Sequence, residues 1–199
     1  MRKELDLFYI DGKPGFDQEE FTDWWMKVGG CGAVTACDCC IYLAKKFGFE
    51  HLYPYDAADV SKKEYIDFAM HMKPFLSPRF SGIDSTELLI DGFEDYLESV
   101  GDDRISLTSL HADCGYETYK NEIKRLLDND MPVPMLNLKH KDPKLKDFVW
   151  HWFWIAGYEE FADEFAVKLI SYAEVYWFSL KDIYNSGYKQ KGGIVRISV

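Results

Sequence analysis

The chain has 199 residues, 47% hydrophobic and 17% aromatic, enough for one sizeable core, and it reads as a single domain over 1–199. A formal charge of −11, spread along the sequence, repels phosphate backbones and sets nucleic acid aside as a partner. The Leu7–Ile10 run is too short for a signal-peptide core, and no stretch reaches the about 20 apolar residues of a membrane span, so no membrane and a cytoplasmic location are expected. An odd count of five cysteines, four of them between Cys31 and Cys40, fits the same reduced compartment.

In chain order, residues 4–10 are rich in strand formers and lead into the turn Asp11-Gly12-Lys13-Pro14-Gly15. Residues 16–30 have the spacing of a short amphipathic helix closed by Gly29 and Gly30. The alanines, Leu43 and paired lysines of 32–47 favour a second helix with Gly48 as its cap, which leaves Cys31 at its N-terminus. Ser61 with Glu64 forms a capping-box signature for a third helix stopped near Pro74, and Ser85 caps a fourth that ends at Gly101. Residues 104–110 read as a strand, and 116–130 as another helix. Residues 131–138 read as a buried strand whose Pro132 and Pro134 imply an edge or an irregular start. After it, 150–158, 164–171, 174–180 and 192–199 are β-branched and aromatic runs broken by turns, the pattern of an antiparallel sheet. The expected class is α+β, with a helical part over about 16–130 and a sheet part over about 131–199.

A thiol becomes nucleophilic when its thiolate is stabilised, and helix N-terminal amides do this. Cys31 has that position, with small neighbours Gly30 and Gly32 that let a carbonyl approach the backbone, and its own amide is placed to donate to an oxyanion. The base must come from elsewhere, and His151 opens an aromatic strand, unlike His51, His71, His111 and His140. Alternation along 150–154 puts Trp150, Trp152 and Trp154 on one face, opposite His151 and Phe153. Trp25 and Trp152 are candidates for lining a substrate groove. On a helix, Cys37, Cys39 and Cys40 scatter at about 100° per residue instead of converging, so no metal is expected and they read as packing residues. No phosphate-binding loop is present, and no cofactor is expected.

The run GGCGAVTAC resembles the nucleophile helix of papain-like cysteine peptidases, and HWFWIAGY their base-bearing strand, particularly in the bacteriocin-leader (double-glycine) peptidase-like branch. SYAEVYWFSLKDIY is similar to the strand that follows in that family, GIDSTELLIDGFEDYLESVG to the helix before its middle strand, and YETYKNEIKRLLDNDMPVPMLNL to its helix-to-strand step. The resemblance runs in order over about 20–199. It implies a papain-like fold and thiol-dependent cleavage or transfer at a peptide or amide carbonyl. Cys31 would be the nucleophile and His151 the base. The family's oxyanion glutamine would fall at Trp25, with Gln18 further back, and its third triad position near Ile170 or Ser171, where the Ser171 hydroxyl can orient the imidazole. The alternative is a catalytically inactive relative that binds a peptide or small ligand in the same groove.

Overall fold

A computed structural model describes residues 1–199. The longest helix, α2 (Cys31–Phe47), is built from Ala, Cys, Ile and Leu and ends where Gly48 turns left-handed at φ 72°. It is buried nearly all round, as a helix with so little polar surface must be. It packs on strand β6 (His151–Phe161) at the middle of the sheet. α3 (Lys62–Met72) packs beside it, and the further helices are α1 (Trp24–Gly29), α4 (Thr86–Ser99) and α5 (Tyr116–Asp128), the last packing on β6 as well. The Ser61–Glu64 capping box starts α3, and the Ser85 hydroxyl accepts from the Leu88 amide to start α4.

The remaining strands are β1 (Arg2–Glu4), β2 (Tyr9–Ile10), β3 (Lys13–Pro14), β4 (Ser106–His111), β5 (Val133–Asn137), β7 (Glu164–Ser171), β8 (Glu174–Ser179) and β9 (Gly192–Ser198). A short helix, α6 (Leu180–Tyr184), lies between the last two. The main sheet runs β4-β9-β5-β6-β7-β8, all antiparallel, and β1 joins β6 beyond its pairing with β5. One cluster of 60 buried apolar residues draws on both helices and strands, so helices and sheet share a core. The architecture is α+β, as expected, and no helix is long and apolar enough to cross a membrane.

Several local expectations change. The single strand over 4–10 is two pieces, β1 and a small β2–β3 hairpin around Asp11-Gly12. The helix over 16–30 is broken: a 3-10 turn at Gln18–Glu20 stops at Phe21, and α1 begins only after Asp23, whose carboxylate accepts from the Met26 amide. β5 is central, and of the two forms its prolines allow, an edge or an irregular start, it takes the irregular start. Pro134 is tolerated because pairing with β9 begins only at Met135, so the first part of the strand is paired on one side. The helical and sheet parts interleave as well, because β1 and β4 come from the N-terminal portion.

Candidate active site

The Gly30 amide closes α1 on the Met26 carbonyl, and the Gly30 carbonyl accepts from Val34 to open α2. One residue thus separates the two helices, and Cys31 occupies the first position of α2. The amides of Cys31 and Gly32, together with that of Trp152 on β6, point at its sulfur. Trp152 follows His151, so the thiol lies against the start of β6. Cys31 and His151 border the same cleft of about 570 Å³, whose wall includes Trp24, Trp25, Phe80 and Trp150. Phe80 is 95% exposed and Trp24 59%, so this apolar rim faces solvent. Arg79 and Asp84 supply its charges.

His151 Nε2 lies 2.7 Å from the Ser171 hydroxyl. The nitrogen left for the cleft is Nδ1. The Tyr172 ring stacks on the imidazole at 4.7 Å between centroids and 5° between planes. Its hydroxyl comes within 3.4 Å of Nδ1, but parallel rings put that oxygen over the imidazole face, outside the plane of the nitrogen lone pair. The Tyr172 hydroxyl donates instead to the Asp147 carbonyl at 2.9 Å. Tyr172 and Ala173 form the two-residue turn between β7 and β8, with φ values of 52° and 55° that normally call for Gly or Asn. Trp150, directly before His151, has φ 52°. Trp150 and Tyr172, both left-handed, border the imidazole, so the backbone before His151 and the β7–β8 turn together fix its surroundings.

Burial sets the protonation states. It raises the Cys31 thiol above its ordinary value against the opposing pull of the amides from Trp152, Gly32 and Cys31. Burial lowers His151 to about 4. At neutral pH the pair therefore rests as thiol and imidazole, with the imidazole free to accept a proton. Beneath the pair a small cavity of mixed lining is bordered by Gln18, Thr35, Asp38 and Ser171 as well as by apolar side chains such as Phe16 and Val34. Asp38 is buried. It accepts from the Tyr65 hydroxyl at 2.6 Å and the Trp154 indole at 3.1 Å, and desolvation raises its carboxyl to about 7.

The structure brings Cys31, His151, Ser171 and Trp25 around the cleft and its floor. Gly30 and Gly32 do not line it. A Cβ on Gly30 would strike the Met26 carbonyl, and one on Gly32 would meet Ile83 at 2.8 Å, so both serve helix packing. Trp152 is buried beneath the cleft, donating to the Ile83 carbonyl at 2.6 Å. Trp150 lies outside the strand and on the cleft rim, apart from the buried Trp152 and Trp154. Cys37, Cys39 and Cys40 pack in the core at 0% exposure. Asp38, Phe80 and Tyr172 escaped the sequence reading, and Gln18 was set aside there as too far from Cys31 in the chain. Gln18 borders both the cleft and the cavity, and its amide donates to the Lys27 carbonyl at 3.2 Å. A signal for it was the Thr22-Asp23 cap before Trp24-Trp25, which ends one turn and starts another. No family model matches the chain, and no curated protein matches it. The site is defined by its own geometry.

Proposed function

We propose that the chain is a papain-like cysteine hydrolase or acyl transferase of the bacteriocin-leader peptidase-like branch, acting at a peptide or amide carbonyl. One observation carries the reading: a helix-N-terminal thiol and a strand-opening imidazole border one cleft, and the imidazole's far nitrogen is held by Ser171. In this reading His151 Nδ1 takes the Cys31 proton as the sulfur attacks the carbonyl carbon. The carbonyl oxygen becomes an oxyanion that receives the Cys31 amide, and the Gln18 side chain is the second donor. Collapse breaks the C–N bond, the imidazolium protonates the leaving amine, and a thioester remains for water or another amine to resolve. The solvent-facing Trp24, Trp25, Phe80 and Trp150 favour a substrate with a bulky apolar side chain beside the scissile bond.

A peptidyl vinyl sulfone bearing phenylalanine tests this, since the thiol adds across its double bond with no leaving group. The expected product is one adduct, on Cys31, formed at least about tenfold more slowly in His151→Ala. An adduct distributed over Cys31 and Cys114, or one indifferent to His151, refutes it. A second reading, an inactive relative that binds a peptide in the same cleft, is favoured by the buried, neutral thiol. It predicts saturable binding of an unreactive phenylalanine peptide with no adduct from the sulfone.

A further inference from the structure

The Ser171 hydroxyl is an ambiguous partner for an imidazole. If it donates to Nε2, the neutral ring carries its proton on Nδ1 and presents the thiol with a donor, which is useless as a base. If it accepts from Nε2–H, Nδ1 is bare and able to take a proton. The second state requires an acceptor for the hydroxyl's own hydrogen. Ser171 makes no other side-chain hydrogen bond in the protein, and the cavity it faces is also lined by Asp38. Asp38 stands two turns along α2 from Cys31, on the same side of the helix. A Cβ at Gly15 would meet both Asp38 Oδ2 at 2.7 Å and the Ile170 side chain at 3.3 Å, so the carboxylate lies on the α2-facing side of β7, and it is the shared cavity that connects it to Ser171. The cavity measures about 10 Å³, near the room one water needs, and among its mixed lining Asp38, Ser171, Thr35 and Gln18 carry the polar groups that water would bond.

We propose that Asp38 is a positioning residue that accepts the Ser171 hydroxyl through one bridging water and thereby holds His151 in the tautomer with Nδ1 unprotonated. The carboxylate has lone pairs to spare, since Tyr65 takes one on Oδ1 and Trp154 one on Oδ2. The titratable groups facing it are Tyr65 from α3, Cys37 and Cys39 on its own helix, and Cys31, His151 and Tyr172 around the cavity. No lysine or arginine pairs with it. Thr35 and Gln18 are the other polar side chains on the cavity, and neither carries charge. The inference rests on the reading of Cys31 and His151 as a nucleophile–base pair, but the tautomer can be read without any substrate.

The test uses the full chain labelled with 15N-histidine, with His151 assigned by its absence in His151→Gln. Long-range 1H–15N spectra at about pH 8.5, above the value of about 7 to which burial raises Asp38 so that it is ionised, are expected to show Nε2 protonated and Nδ1 bare in wild type. Asp38→Asn suits the site: its amide can donate to the Tyr65 oxygen while Tyr65 donates to the Val34 carbonyl, already 3.3 Å away, and its oxygen still accepts from Trp154. The variant is expected to populate the Nδ1-protonated tautomer and to slow iodoacetamide alkylation of Cys31 by about tenfold or more, as wrong-tautomer histidines lose base function. Tyr65→Phe keeps the carboxylate and is expected to keep the wild-type tautomer. A folded Asp38→Asn that retains both tautomer and alkylation rate overturns the proposal, as does loss of the tautomer in Tyr65→Phe. If Asp38→Asn does not fold, Ser171→Ala decides: release of the tautomer supports the relay, and retention overturns it. An Asp38-dependent tautomer in a protein that ignores the vinyl sulfone would leave this inference standing and remove the proposed hydrolase.

Discussion

Two buried groups with opposed shifts make the pH dependence of stability a sensitive probe of the site. His151 sits at about 4 in the folded chain against 6.5 when free. The unfolded chain therefore binds a proton between those values that the folded one refuses, and stability rises with pH across that window. The displacement is worth about 3 kcal/mol, at about 1.4 kcal/mol for each pH step. Asp38 runs the other way, at about 7 folded against 3.8 free. Its contribution is present in full below 3.8 and is lost as pH rises through 7, by about 4 kcal/mol. Over pH 4 to 6.5 the two slopes oppose each other and nearly cancel in wild type. Urea denaturation at half-unit intervals from pH 4 to 7.5 compares wild type with Asp38→Asn and His151→Gln. Relative to wild type, Asp38→Asn should gain stability with rising pH, by about 3 kcal/mol between 4 and 6.5, and His151→Gln should lose a similar amount. Taking differences removes the surface carboxylates common to all three proteins. If neither difference changes with pH, neither group is held in its uncharged form by burial, and the electrostatic description of the site is wrong.

Gln18→Ala should cut amide turnover by about a hundredfold, the cost of one oxyanion donor, and leave iodoacetamide alkylation of Cys31 unchanged because that reaction builds no oxyanion; equal loss in both assays would place Gln18 in support of the thiol instead. Trp154→Phe removes the indole that donates to Asp38 and leaves a void beside Tyr42, for a loss of about 2–4 kcal/mol in urea titration. Ala162 turns left-handed at φ 52° in the exposed β6–β7 hairpin, so Ala162→Gly should add about 1 kcal/mol and raise the melting temperature without changing Cys31 reactivity.

Much of this site was legible because its signals are local. Gly29-Gly30 before an alanine-rich run marks a helix start, and a helix start is where Cys31 stands. Ser61 with Glu64, and Ser85, mark two more in the same way. His151 is found by opening a strand whose alternation is plain. What was hidden depends on contacts distant in sequence. Gln18 looks like part of one amphipathic helix until the Asp23 cap is given its weight, and only the break before α1 turns it toward Cys31. Asp38 stands among Ala36, Cys37, Cys39 and Cys40, where a charged residue in an apolar helix should itself have raised the question of its partners. Those partners, Tyr65 and Trp154, are 27 and 116 residues away. Strand order is equally non-local: nothing in residues 106–111 says that they pair with 193–198, or that Pro134 lies inside a central strand with β9 joining after it.

The central claim is that Cys31 and His151 act as one nucleophile–base pair. The rate of iodoacetamide alkylation at each cysteine, followed by mass spectrometry against pH in wild type and His151→Ala, tests it most directly. Cys37, Cys39 and Cys40 are sealed in the core, and the partly exposed Cys114 provides the reference thiol. The account predicts that Cys31 reacts ahead of Cys114 at neutral pH, that its rate falls as pH drops toward 4 and His151 takes up a proton, and that His151→Ala removes the advantage. A Cys31 that reacts no faster than Cys114, or that reacts equally fast without His151, would contradict it.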